Sequence, residues 1–170
     1  MHVIRSYESL SGAVDASFQQ SITSQDALDL LKAGALRAQE NRRLTRDAAQ
    51  LREDASLGQA PYAAVLSCID SRVPVEQIFD AVSGDLFVAR VAGNVAASSV
   101  VASLEFATAL AGAKAILVLG HSHPPKRAIA GKRMTLMSVF AITKSGDSWP
   151  TKLAPLPPWP RPRPPRPPPR

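Results

Sequence analysis

Three short apolar runs, each bounded by polar or glycine-containing segments, set the rhythm of the first two-thirds of this chain. The run Tyr62–Ser67 (Tyr-Ala-Ala-Val-Leu-Ser) is continuous rather than alternating, which predicts a strand buried on both faces. Asp85–Val91 predicts a second strand, stopped by Gly93-Asn94, and Lys114–Leu119 a third. Between them the period changes. Gln25–Ala38 places Ala27, Leu28, Leu31, Ala35 and Leu36 near helical spacing, with Ser24 as the expected N-cap. Asn41–Ser56 reads as a polar connector followed by a weakly amphipathic helix around Leu44, Ala48 and Leu51. Pro74 is placed to open a short helix through Phe79, because proline is tolerated at the first helical position. Ser98–Leu110 predicts a helix rich in small residues. Strands alternating with helices at this spacing predict an α/β domain around a parallel sheet, with no internal repeat.

The rhythm breaks after His123. Residues 1–123 hold 10 Lys and Arg against 13 Asp and Glu, a net charge of −3, while residues 124–170 hold 10 against 1, a net of +9. The basic character of the whole chain therefore belongs to its last 47 residues. Eleven of the 15 prolines fall between Pro150 and Pro169, where fixed φ and missing N–H donors exclude helix and central strand. The organisation expected is an N-terminal extension over 1–24, an α/β domain over 25–123, and a basic, proline-rich, disordered tail over 124–170. Within the tail, one mixed run around Met134–Ile142 suits either a single strand or a short helix. A switch of charge, proline use and pattern at one point is what a shifted reading frame in a GC-rich gene produces, so the domain is expected to be truncated.

A chain of 170 residues suffices for one domain with its own core. Its single cysteine, Cys68, excludes an internal disulfide framework and suits the reducing cytoplasm. The start has no apolar h-region, and no stretch reaches the ~20 apolar residues that span a bilayer, so no membrane partner is expected.

Candidate chemistry lies where the strands end. Cys68-Ile69-Asp70-Ser71-Arg72 follows the first strand directly, and Gly120-His121 follows the third. In open α/β sheets such residues meet at the carboxyl edge, where these folds place their sites. A thiol and an imidazole there form half of a zinc site, with Asp70 and Arg72 beside them as an ion pair. Each feature has a plainer reading: a lone cysteine at a strand end is usually a small buried hydrophobe, and an Asp–Arg pair an ordinary surface contact. His123 reads as a loop residue rather than a ligand.

Four ordered segments decide between these readings. Cys68–Pro74, Gly84–Asn94, Ser103–Ala107 and Val118–His123 together resemble the β-class carbonic anhydrases, over roughly residues 25–123. The resemblance implies the parallel-sheet core of that family, preceded by N-terminal helices and incomplete here, and the zinc-dependent reversible hydration of CO₂ to bicarbonate. It implies Zn²⁺ bound by Cys68, His121 and a second cysteine three residues further on, a position that Pro124 occupies in this chain. Asp70 and Arg72 match the family's catalytic pair: Asp70 accepts a hydrogen bond from zinc-bound water or takes the fourth metal position in a closed site, and Arg72 decides between the two. Gly93 is expected to bind substrate by allowing close backbone approach at the site edge. The family further implies a homodimer or higher oligomer, with N-terminal helices reaching onto a partner.

The alternatives are a catalytically inactive remnant of that family and, more remotely, an interaction module acting through the Pro/Arg tail. Only Trp149 and Trp159 interleave aromatics with the tail's charge, so nucleic acid is set aside as a partner.

Overall fold

A computed structural model of the chain describes residues 2–121, together with the backbone of 136–143 and 154–155. The elements are α1 (His2–Glu8), α2 (Ala16–Ser21), α3 (Ser24–Gln39), α4 (Ala48–Leu57), β1 (Ala63–Ser67), α5 (Val75–Ile78), β2 (Leu86–Arg90), α6 (Ser98–Glu105), β3 (Ala115–His121), β4 (Leu136–Thr143) and β5 (Ala154–Pro155). The sheet runs in the order β2-β1-β3-β4-β5. β1 pairs in parallel with both β2 and β3, which gives the predicted parallel core of three strands. β4 pairs antiparallel with β3, and β5 antiparallel with β4. The run that suited either strand or helix, Met134–Ile142, thus contains most of β4. Apart from β4 and β5, the predicted tail, with Pro124, lies outside the described residues.

β1 is the axis of the fold. All five of its residues are buried, as the unbroken apolar run requires of a strand covered on both faces. One face carries the main core, in which Val65 of β1 and Leu117 and Leu119 of β3 pack with Leu28 and Leu31 of α3, Tyr62, Val73 and Phe79. The other face is thin: Ala64, Ile116 and Ala107 are buried there, with Phe87 and Leu104 partly covered. None of α6 is buried, and its continuation Phe106–Leu110 widens into a π-helical turn closed by Ala111 N–H on Phe106 C=O at 2.9 Å.

Local chemistry sets the helix starts, with two corrections. The N-cap of α3 is Thr23 rather than Ser24: Thr23 Oγ1 accepts the N–H of Asp26, and the Asp26 carboxylate accepts the N–H of Thr23, a closed capping box. Pro74 sits at the cap of α5, one residue before the helix proper. Helices α1 and α2 were not anticipated from periodicity. Tertiary contacts hold them: Tyr7, 1% exposed, packs on Phe18 and edge-on to Tyr62, with the Arg46 guanidinium 4.9 Å from its ring centre. α1 therefore docks on its own domain.

The Tyr7 hydroxyl donates to Asp85 Oδ2 at 2.7 Å, and Val82 N–H donates to the same oxygen at 2.8 Å. Burial pushes the Asp85 carboxyl above its ordinary range, against the hydrogen bonds from Tyr7 and Val82 and the charge of Arg46. A raised folded-state value means that this group's contribution to stability is present below about pH 4 and is lost as pH rises through the raised value. Asp85→Asn keeps the shape and removes the titration. Its stability relative to wild type, from urea unfolding, is expected to improve steadily between pH 3 and pH 7; a pH-independent difference refutes the assignment.

Candidate metal centre

Parallel register delivers the site. Ser67, the last residue of β1, pairs with Arg90 of β2 on one side and Leu119 of β3 on the other. Cys68 and His121 therefore leave adjacent strands at the same carboxyl edge, as predicted. The Cys68 thiol is drawn down to about 7, first by its hydrogen bond with His121 and then by the backbone N–H groups of Asp70 and Gly93. Three elements thus converge on one sulfur: the β1 exit, the turn after β2 and the end of β3.

Asp70 and Arg72 form a bidentate ion pair. Arg72 Nε donates to Asp70 Oδ1 at 3.0 Å and Nη2 to Oδ2 at 2.7 Å, while the Arg72 backbone N–H also reaches Oδ1 at 2.9 Å. The fork holds the Asp70 carboxyl well below the usual carboxylate range. Asp70 Oδ2 lies 4.0 Å from His121 Nε2, so the carboxylate stands between guanidinium and imidazole. The His121 side chain is 7% exposed and that of Arg72 55%, which puts the solvent side of the site at the arginine.

Gly93 is in place, for a different reason from the one expected. A Cβ built on it meets nothing closer than Val95 Cγ2 at 3.9 Å, so a side chain would not be blocked. What requires glycine is φ of +67°, in the 3₁₀ turn Ala92–Asn94 that turns the Gly93 N–H toward the sulfur. Two residues were overlooked in the sequence. Arg90 Nε donates to Cys68 C=O at 3.0 Å and Nη2 to Asp70 C=O at 2.6 Å. Asn94 Nδ2 donates to Leu119 C=O at 2.5 Å, two residues before His121. Arg90 read as a residue of the predicted strand Asp85–Val91, and Asn94 as part of its stop signal. Only the register between strands reveals their targets.

A zinc centre needs three protein donors and an open position, or four donors. Cys68 and His121 supply a thiolate and an imidazole of the right softness. Asp70 has both oxygens engaged by Arg72, and proline at position 124 offers no side-chain donor. Among the described residues, no group of three or more His, Cys, Asp or Glu is arranged to hold a metal ion. Among the described residues the donor set does not complete a zinc centre.

Comparison with known proteins points in one direction. Residues 63–125 match the family model described as carbonic anhydrase. Carbonic anhydrase 2 of Mycobacterium tuberculosis is 48% identical over 64 residues, 38% of this chain and 31% of that protein. A carbonic anhydrase of Pseudomonas aeruginosa is 40% identical over 90 residues, 47% of this chain and 41% of that protein. The chain thus spans less than half the length of these relatives. Among solved structures, the β-carbonic anhydrase CcaA aligns at 34% identity and TM-score 0.37, over 39% of this chain and 35% of that one. CafA of Aspergillus fumigatus aligns at 28% and 0.39, over 56% and 44%.

Two substitutions probe the geometry. Arg72→Ala is expected to return the Asp70 carboxyl upward by about one to three pH units, read by carbon NMR titration; an unchanged titration removes Arg72 as the cause. Gly93→Ala is expected to cost about 1–2 kcal/mol of unfolding free energy through the positive φ alone. A loss well beyond that range restores the steric explanation.

Proposed function

We propose that this chain, a carbonic anhydrase family segment over residues 63–125, carries the site of zinc-dependent reversible CO₂ hydration to bicarbonate, in a form short of one metal ligand. The single observation behind this is the convergence of Cys68, His121 and the Arg72-clamped Asp70 at the carboxyl edge of β1 and β3. An unrelated thiol at a strand end has no reason to meet an imidazole, two aimed N–H groups and a bidentate Asp–Arg pair together.

The chain's own residues have definable tasks in this assignment. Cys68 and His121 are the two metal ligands. Arg72 keeps Asp70 ionised and oriented, so that at neutral pH the carboxylate accepts a proton-bearing partner and does not donate to one. Gly93 supplies a main-chain donor at the rim. Between an active enzyme and a catalytically inactive remnant of the family, Pro124 favours the remnant, because it stands where the resemblance calls for the second cysteine. No catalytic step is assigned to zinc in this chain for that reason.

The family's homodimer or higher oligomer belongs to the same proposal. It is supported by the apolar exposure of Val95, Val101, Phe106 and Leu110 beside the edge strand β2, a patch suited to burial against another subunit. Among the described residues no helix is long and apolar enough to cross a membrane.

Zinc titration and stopped-flow CO₂ hydration test the assignment on the full chain and on Pro124→Cys. The wild-type chain with added zinc is expected to hydrate CO₂ no faster than free zinc. Pro124→Cys is expected to bind zinc at least ~10-fold more tightly, since even outer-shell changes at metal sites are worth 10–100-fold. Unchanged zinc affinity in the variant would remove Cys68 and His121 as ligands; a wild-type rate above free zinc would overturn the inactive form.

A further inference from the structure

We propose that Arg90 is the positioning residue of this centre, fixing the direction in which the Cys68–Asp70 loop presents its N–H to the Cys68 sulfur. The proposal rests on the site assignment above but not on metal binding or turnover. β1 ends at Ser67, and from there the chain has left the sheet: Ile69 is 64% exposed. Among the described residues no strand partner holds the Cys68 carbonyl beyond that point. Arg90, anchored by its register opposite Ser67 and by the neighbouring Val91 N–H on Ser67 C=O at 3.0 Å, reaches across instead. Its Nε takes the Cys68 carbonyl and its Nη2 the Asp70 carbonyl.

The choice of carbonyls carries the inference. Cys68 C=O belongs to the Cys68–Ile69 peptide and Asp70 C=O to the Asp70–Ser71 peptide. The unit bracketed between them is the Ile69–Asp70 peptide, whose N–H is the Asp70 donor to the thiol. Two peptide planes fixed on either side leave the middle one little rotational freedom, so the aim of that N–H follows from the guanidinium. A second bond to Asp70 C=O, from Val73 N–H at 3.0 Å, holds the far side of the loop but leaves the Cys68 carbonyl to Arg90. The two acceptors need a rigid planar fork. An ammonium on a flexible stem carries the charge but not the spacing.

The test is amide hydrogen exchange by NMR on the full chain without metal, comparing wild type with Arg90→Ala and Arg90→Lys. In Arg90→Ala the Asp70 amide is expected to exchange at least ~10-fold faster, while Val65 of β1 and Leu117 of β3 keep their protection and the melting temperature holds. Arg90→Lys is expected to recover less than half of the lost protection on a logarithmic scale. Unchanged Asp70 exchange, full recovery by lysine, or acceleration spread equally over β1 and β3 each overturns the proposal. If Arg90→Ala does not fold, the lysine variant carries the test alone: wild-type exchange at Asp70 refutes, and local acceleration supports. CO₂ hydration enters none of these readouts, so their failure is separate from failure of the assigned function.

Discussion

The pairing of β1 with parallel neighbours on both sides is the constraint on which the rest of this structure depends. Because β1 is buried along its whole length, its register against β2 and β3 cannot slip by one residue without exposing Val65 or turning Ala64 into the main core. That register sets Ser67 opposite both Arg90 and Leu119. Every residue of the site is then a short, fixed distance along the chain from one of these three: Cys68 and Asp70 from Ser67, Gly93 and Asn94 from Arg90, His121 from Leu119. The core's apolar packing and the site's polar geometry are consequences of the same alignment.

Electrostatics within that frame is ordered by Asp70. Its carboxylate has a bidentate guanidinium on the solvent side and an imidazole 4.0 Å away on the buried side. The solvent-facing ion pair contributes little to folding, because water and salt screen such pairs. Its consequence is directional: the fork commits both Asp70 oxygens to Arg72, and with position 124 filled by proline no third metal donor stands beside the thiol–imidazole pair among the described residues. Hydrogen bonding to the sulfur joins the three converging elements.

How much of this was legible in the sequence depended on how local the cause was. The three core strands could be read from unbroken apolar runs, and Cys68, Asp70, Arg72 and His121 from their positions at the ends of those runs. The helix α3 could be read from its period, but its cap was displaced by one residue because the Thr23–Asp26 pair closes a box that Ser24 cannot. Causes distant in sequence were hidden. Tyr7 meets Asp85 across 78 positions, so α1 looked like an undefined extension. Arg90 reaches the Cys68 and Asp70 carbonyls from 22 and 20 positions away, and nothing in Leu-Phe-Val-Ala-Arg marks its last residue as an anchor rather than a strand end. Gly93 was legible as necessary, while the reason, a positive φ rather than a crowded rim, needed backbone coordinates.

The two faces of the sheet are unequal, and the site lies where that inequality meets the edge. Under α3 the core is deep and aromatic; under α6 it is three small or branched side chains with half-covered neighbours. β2 is an edge strand of the same sheet, partly exposed along its length, yet its last residue and the turn that follows supply Arg90, Gly93 and Asn94. Side-chain-to-carbonyl bonds run from this thinly covered strand to both of its better-packed neighbours, to Cys68 and Asp70 after β1 and to Leu119 in β3. Precision at the sulfur therefore depends on the least buried strand of the parallel core. The apolar patch at Val95, Val101 and Phe106 begins within two residues of Gly93.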